Sequence, residues 1–83
     1  MDKQKLQDAW INGVCMDLEI DPTDGRESNG QTFFLFTKRE AERVVSRCFA
    51  LNDWSPVLIP FDLALPPAGK GMQWIATDFP DHA

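Results

Sequence analysis

Residues 37–51, TKREAERVVSRCFAL, decide how this chain folds. Thr37 followed three positions later by Glu40 is a capping box, in which the Thr hydroxyl accepts from the Glu40 amide and the Glu carboxylate reaches back to the Thr37 amide. Behind that cap, Ala41, Val44, Val45, Cys48 and Phe49 recur at the spacing of a single helical face. Asn52 and Asp53 end the periodicity, and Ser55-Pro56 prevents a restart. An amphipathic helix must bury its stripe, and the flanking segments read as the sheet on which it lies.

Upstream, residues 31–36, QTFFLF, form a strand that is apolar on both faces, because Phe33 and Leu35 oppose Phe34 and Phe36. Such a strand belongs in the middle of a sheet. The two sets are equally apolar, so the pattern alone does not say which of them the helix covers. Downstream, Val57, Ile59, Phe61, Leu63 and Leu65 alternate with Leu58, Pro60, Asp62 and Ala64. Pro60 has no amide proton to donate, which places this strand at an edge or breaks it there. Residues 66–71, PPAGKG, are a turn by composition, and Met72, Trp74 and Ala76 alternate with Gln73, Ile75 and Thr77 as a last strand.

Residues 10–20 show period-two alternation, with Trp10, Asn12, Val14, Met16, Leu18 and Ile20 on one side, and are expected to form the first strand. A helix over residues 3–14 is the competing reading, since Leu6, Trp10 and Val14 lie four apart. Residues 1–9 are a polar lead-in. Residues 21–30, DPTDGRESNG, carry two turn signals, Asp24-Gly25 and Asn29-Gly30, and are expected to be a projecting loop. Residues 78–83 are a short acidic tail. The expected fold class is therefore α+β: one small domain over residues 1–83, with an antiparallel sheet of about four strands in ββαββ order and one amphipathic helix packed on one face.

The chain has 83 residues and a net charge of −5, unevenly distributed. Residues 37–51 hold Lys38, Arg39, Arg43 and Arg47 against Glu40 and Glu42, a balance of +2, so the rest of the chain carries −7. An acidic body argues against broad nucleic-acid binding, which needs a cationic surface facing the phosphates. No run is long enough to span a bilayer; the charge-free stretch of residues 54–61 has only eight residues. Residues 1–5, MDKQK, are followed by no apolar leader core, so the expected location is cytoplasmic. Cys15 and Cys48 show neither CxxC nor Cys/His spacing and read as reduced, buried, small apolar residues.

No residue set suggests catalysis. His82, the only histidine, is penultimate in the tail, and no serine or cysteine has a base beside it in a recognisable motif. The Gly69-Lys70-Gly71 stretch lacks the phosphate-loop spacing and has Met72 where a metal-binding hydroxyl would be needed. No cofactor and no metal are expected, and the EF-hand pattern is absent. The abundant polar resource is carboxylate: Asp17, Glu19, Asp21, Asp24 and Glu27 fall within one short stretch and suit a cationic groove on a partner protein. The alternative surface is the ridge of Arg39, Arg43 and Arg47, four apart and opposite the apolar stripe, whose planar guanidiniums suit carboxylates or phosphates; Trp54 in the following connection is a further contact candidate.

The expected class is a small binding protein, not an enzyme: an inhibitor or adaptor acting by occupying a basic, nucleic-acid-handling surface of a larger complex. Phage-encoded anti-defence (anti-CRISPR-like) and host-takeover proteins share this size and charge. The alternatives are a nucleic-acid accessory protein using the arginine ridge, or a homodimer built by pairing of strand edges.

Overall fold

The computed structural model describes residues 3–21, 25–28, 31–59 and 65–77. Its elements run α1 (Lys3–Asp17), β1 (Gly25–Ser28), β2 (Gln31–Thr37), α2 (Lys38–Asn52), β3 (Val57–Ile59) and β4 (Met72–Ala76). All three strand pairings are antiparallel, and the sheet order is β1-β2-β4-β3. The fold is α+β with a four-stranded antiparallel sheet, and its β1-β2-α2-β3-β4 portion has the ββαββ order. Because β2 and β3 are each antiparallel to β4, they are parallel to one another. Parallel strands need a crossover rather than a hairpin, and α2 supplies it.

Helix α2 forms as its sequence dictates. Thr37 is at once the last residue of β2 and the N-cap of α2; it is extended at φ −66° and ψ 157°. Its Oγ1 accepts from the Glu40 amide at 3.1 Å while its own amide donates to Glu40 Oε1 at 3.1 Å, so both halves of the capping box are made. The helix ends at Asp53, whose left-handed backbone (φ 54°) directs its amide to the Phe49 carbonyl at 2.9 Å. Ala41, Val44 and Cys48 are buried. Phe49, expected in that stripe, is instead 60% exposed, because it sits about 80° round the helix from Ala41 and overhangs the flank of the packed face.

Residues 10–20 are the principal correction. They are not a strand: α1 takes in all of residues 3–17, including most of the expected polar lead-in. Gln7, Ile11, Val14 and Cys15 are its buried residues, a one-sided helical stripe, whereas Met16, which alternation would place inward, is 81% exposed. The segment carries both periodicities, and burial against α2 selects the helical one. The loop expected over residues 21–30 is also corrected in part, since Gly25–Ser28 pairs with β2. That strand has no apolar side chain because it is an edge strand held by main-chain pairing, with Arg26 and Glu27 exposed to water. The register leaves only Asn29 and Gly30 between β1 and β2. The turn at those two residues, Asp24, the strand beyond Ile59 through residue 64, and the tail with His82 lie outside the described residues.

The sheet has two apolar faces, each covered differently. Phe34, Phe36 and Ile75 pack with Ile11, Val14 and Cys15 of α1 and with Ala41, Val44 and Cys48 of α2, so this is the face under the helices. Phe33, Trp74, Ala76 and Ile59 form the opposite face, covered by Leu65 and Ala68. The indole Nε1 of Trp74 donates to the Pro66 carbonyl at 3.0 Å and pins that cover in place. Residues 66–71 are a turn, as their composition predicts, with Gly69 and Gly71 at φ 92° and 78°. The Gly71 carbonyl accepts from the Lys38 amide at 2.9 Å, joining the turn to the start of α2.

Both cysteines are free and buried. Burial raises the Cys15 thiol from 9.0 to about 11, with the negative charges of Cys48, Glu40 and Asp21 adding to it, and burial alone raises Cys48 to about 11. A thiol raised on folding keeps its proton where the unfolded chain loses it, so this contribution is fully present below pH 9.0 and is lost as pH rises towards about 11. Urea midpoints measured across that window fall with pH, and the fall is shallower in Cys48→Ala. Thr37→Ala, which removes the cap acceptor, lowers stability by about 1 kcal/mol in the same measurement.

Candidate functional site

The carboxylates and arginines singled out from the sequence meet where the two helices pass each other. Near the end of α1, Asp17 faces α2, and near the middle of α2, Arg47 faces back. Arg47 Nε and Nη2 both reach Asp17 Oδ2, at 2.9 and 2.8 Å. Two residues beyond the C-terminus of α2, the ring of Trp54 lies 5.5 Å from that of Trp10 with a 47° tilt. These two contacts make the helices antiparallel: positions seven residues later on α1 meet positions seven residues earlier in the α2 region.

The turn that ends α1 is a Schellman motif. The Ile20 amide donates to the Cys15 carbonyl at 2.9 Å and the Glu19 amide to the Met16 carbonyl at 3.2 Å. The left-handed position is occupied by Glu19, at φ 57°. Helices favour glycine there because a Cβ crowds the following carbonyl. Ile20 is buried and anchors the turn, while Glu19 and Asp21 on either side of it are exposed. The α1 C-terminus adds its own negative partial charge at the same place.

Asp17, Glu19 and Asp21 are thus gathered at one turn, with Asp17 already paired. Glu27 is carried by a different element, the edge strand β1, in the cross-strand pair with Thr32. Arg39 and Arg43 are exposed on α2. Arg43 and Arg47 line a shallow cleft of about 440 Å³ with Leu18, Glu42, Ser46 and Ala50, so the arginine ridge borders the acidic turn directly. Trp54 is half-buried against the helix-side core, so much of its surface is used within the fold.

Sequence reasoning missed two features. Trp10 pairs with Trp54, which a strand at residues 10–20 does not anticipate. Asp8 accepts from Thr32 Oγ1 at 3.1 Å and ties α1 to the sheet; its helical spacing from Cys15 was the available signal. A second hollow, of about 430 Å³, lies on the other sheet face among Ile59, Leu65, Met72 and Trp74. Among the described residues, no group of three or more His, Cys, Asp or Glu is placed to hold a metal ion, and no helix is long and apolar enough to cross a membrane.

Compared with known protein families, curated proteins and solved structures, the chain matches none.

The Asp17–Arg47 pair joins side chains that are 47% and 46% exposed, where water and salt screen most of the attraction. A double-mutant cycle with Asp17→Asn and Arg47→Gln gives a coupling below about 1 kcal/mol, shrinking further in concentrated salt.

Proposed function

We propose that this protein is a non-catalytic acidic binding module that engages a cationic surface of a larger protein through the turn ending α1, and acts by occupying that surface. The observation that carries this reading is Glu19. A charged, exposed residue holds a left-handed helix-cap position where glycine would be less strained, and backbone strain of that kind is tolerated where a side chain is needed. Asp21 and the negative end of α1 concentrate charge at the same corner, within a chain of net charge −5. Complementary charge speeds encounter with a basic partner and disfavours acidic ones.

An occupancy inhibitor or adaptor of a nucleic-acid-handling complex in the cytoplasm fits this chemistry, because such complexes present basic grooves. The competing assignment, direct nucleic-acid binding by Arg39, Arg43 and Arg47, is weakened by Asp17, which engages the third arginine of the ridge.

The test couples stability to binding. Glu19→Gly relieves the left-handed strain and stabilises the fold by up to about 1 kcal/mol. The same substitution weakens capture of the partner from nuclease-treated lysate by about tenfold when combined with Asp21→Asn, roughly 1.4 kcal/mol. Capture unchanged by the double substitution refutes the acidic turn as the binding site. Capture that disappears on nuclease treatment moves the assignment to the arginines.

A further inference from the structure

The acidic turn that ends α1 already holds a cation, supplied by the fold itself. The last turn of α1 contains no basic residue to balance the negative end of that helix. The balancing charge comes from α2, where Arg47 sets Nε and Nη2 at 2.9 and 2.8 Å from one and the same oxygen, Oδ2 of Asp17. Arg47 is singled out on its ridge, since among the described residues neither Arg39 nor Arg43 makes an ion pair.

Two features make this contact exchangeable. Both side chains are about half exposed, 46% for Arg47 and 47% for Asp17, so a group arriving from solvent reaches the carboxylate, and water already screens the bond it must replace. The shallow cleft beside the pair, which Arg47 lines with Arg43 and Ser46, gives the displaced side chain somewhere to go. Glu19 and Asp21 stand exposed on the same turn, so a cation drawn to them arrives beside Asp17.

We infer that Arg47 is an internal competitor, which occupies Asp17 in the free protein and yields it to an arginine of the basic partner. The exchange conserves the chemistry at Asp17, because one guanidinium replaces another on the same carboxylate. A lysine ammonium lacks the planar fork by which Nε and Nη2 converge on Oδ2, and for that reason the incoming residue is an arginine. Resting on the reading of this turn as the binding site, the competition regulates that same site. By linkage, whatever the Asp17–Arg47 pair contributes to the free protein is subtracted from the partner's affinity. If Arg47 instead held the turn in shape, its removal would weaken binding, so the two roles differ in sign.

Fluorescence anisotropy with a labelled oligoarginine peptide, on the full chain at about 0.1 M salt, tests the competition. Arg47→Gln binds the peptide roughly threefold more tightly than wild type. Asp17→Asn alone changes little, because Asp17 is engaged in the free protein, whereas Asp17→Asn added to Arg47→Gln removes the gain. Arg39→Gln, which deletes the same charge about 12 Å further along α2, gives a smaller change. Binding by Arg47→Gln that is unchanged or weaker, a gain no larger than that of Arg39→Gln, or a gain that persists without Asp17 overturns the inference. Glu19→Gln combined with Asp21→Asn separates it from the reading on which it rests. If that double variant loses affinity while the Asp17 and Arg47 substitutions are additive, the internal competition fails and the turn stands as the site. If the double variant binds like wild type, both fall. All the substituted side chains are exposed, so the fold tolerates their replacement, and urea midpoints measured alongside check this.

Discussion

The antiparallel pairing of β2 with β4 is the constraint on which the remaining structure depends. It sets Phe34 beside Ile75 and Leu35 beside Trp74, so each face of the central sheet presents a row of large side chains that must be covered. One face receives both helices and the other receives the segment around Leu65 and Ala68. With β4 between β2 and β3, those two strands run parallel, and only a crossover can connect them. Thr37 makes this crossover abrupt, ending β2 and capping α2 with no linker, and the capping box satisfies amides at the start of the helix.

The first helix is held from three sides by different chemistry. Ile11, Val14 and Cys15 bury against the sheet and α2, Asp8 bonds to Thr32 of β2, and Asp17 pairs with Arg47. Apolar burial supplies most of the stabilisation, since the half-exposed ion pair is worth little. Its consequence is electrostatic. It places the acidic turn and the arginine ridge side by side across a shallow cleft, so each surface partly neutralises the other and neither acts as an isolated patch. What escapes neutralisation is Glu19 and Asp21, displayed at the negative end of α1 and held out by a strained cap. The fold therefore presents carboxylates through its backbone geometry more than through their number.

Helix α2 was legible in the sequence because every local signal agreed: cap, apolar spacing and stop. The two-faced central strand was legible for the same reason, and Pro60 pointed correctly to an edge position for the strand before it. The first third of the chain was not. Trp10, Val14, Met16 and Ile20 satisfy a period of two, while Gln7, Ile11, Val14 and Cys15 satisfy the helical period, with the buried glutamine Gln7 hiding the second pattern from any search for apolar residues. Strand β1 was hidden by its polarity, since an edge strand is stabilised by main-chain bonds that leave no trace in side-chain hydropathy.

The candidate site divides along the same line. The residue types and their signs were readable, because charge and length are properties of the chain itself. Which of them meet was not, because the Asp17–Arg47 and Trp10–Trp54 contacts join positions at least 30 residues apart and exist only once α1 is a helix lying antiparallel to α2. By itself the sequence determined the second helix, the central strand and the acidic character of the molecule, all set by near neighbours along the chain. Only the tertiary structure decided that Phe34 and Phe36 face the helices, that residues 10–17 are helical, and that Glu19 stands in a left-handed cap, because each of these depends on what the rest of the fold leaves available to bury.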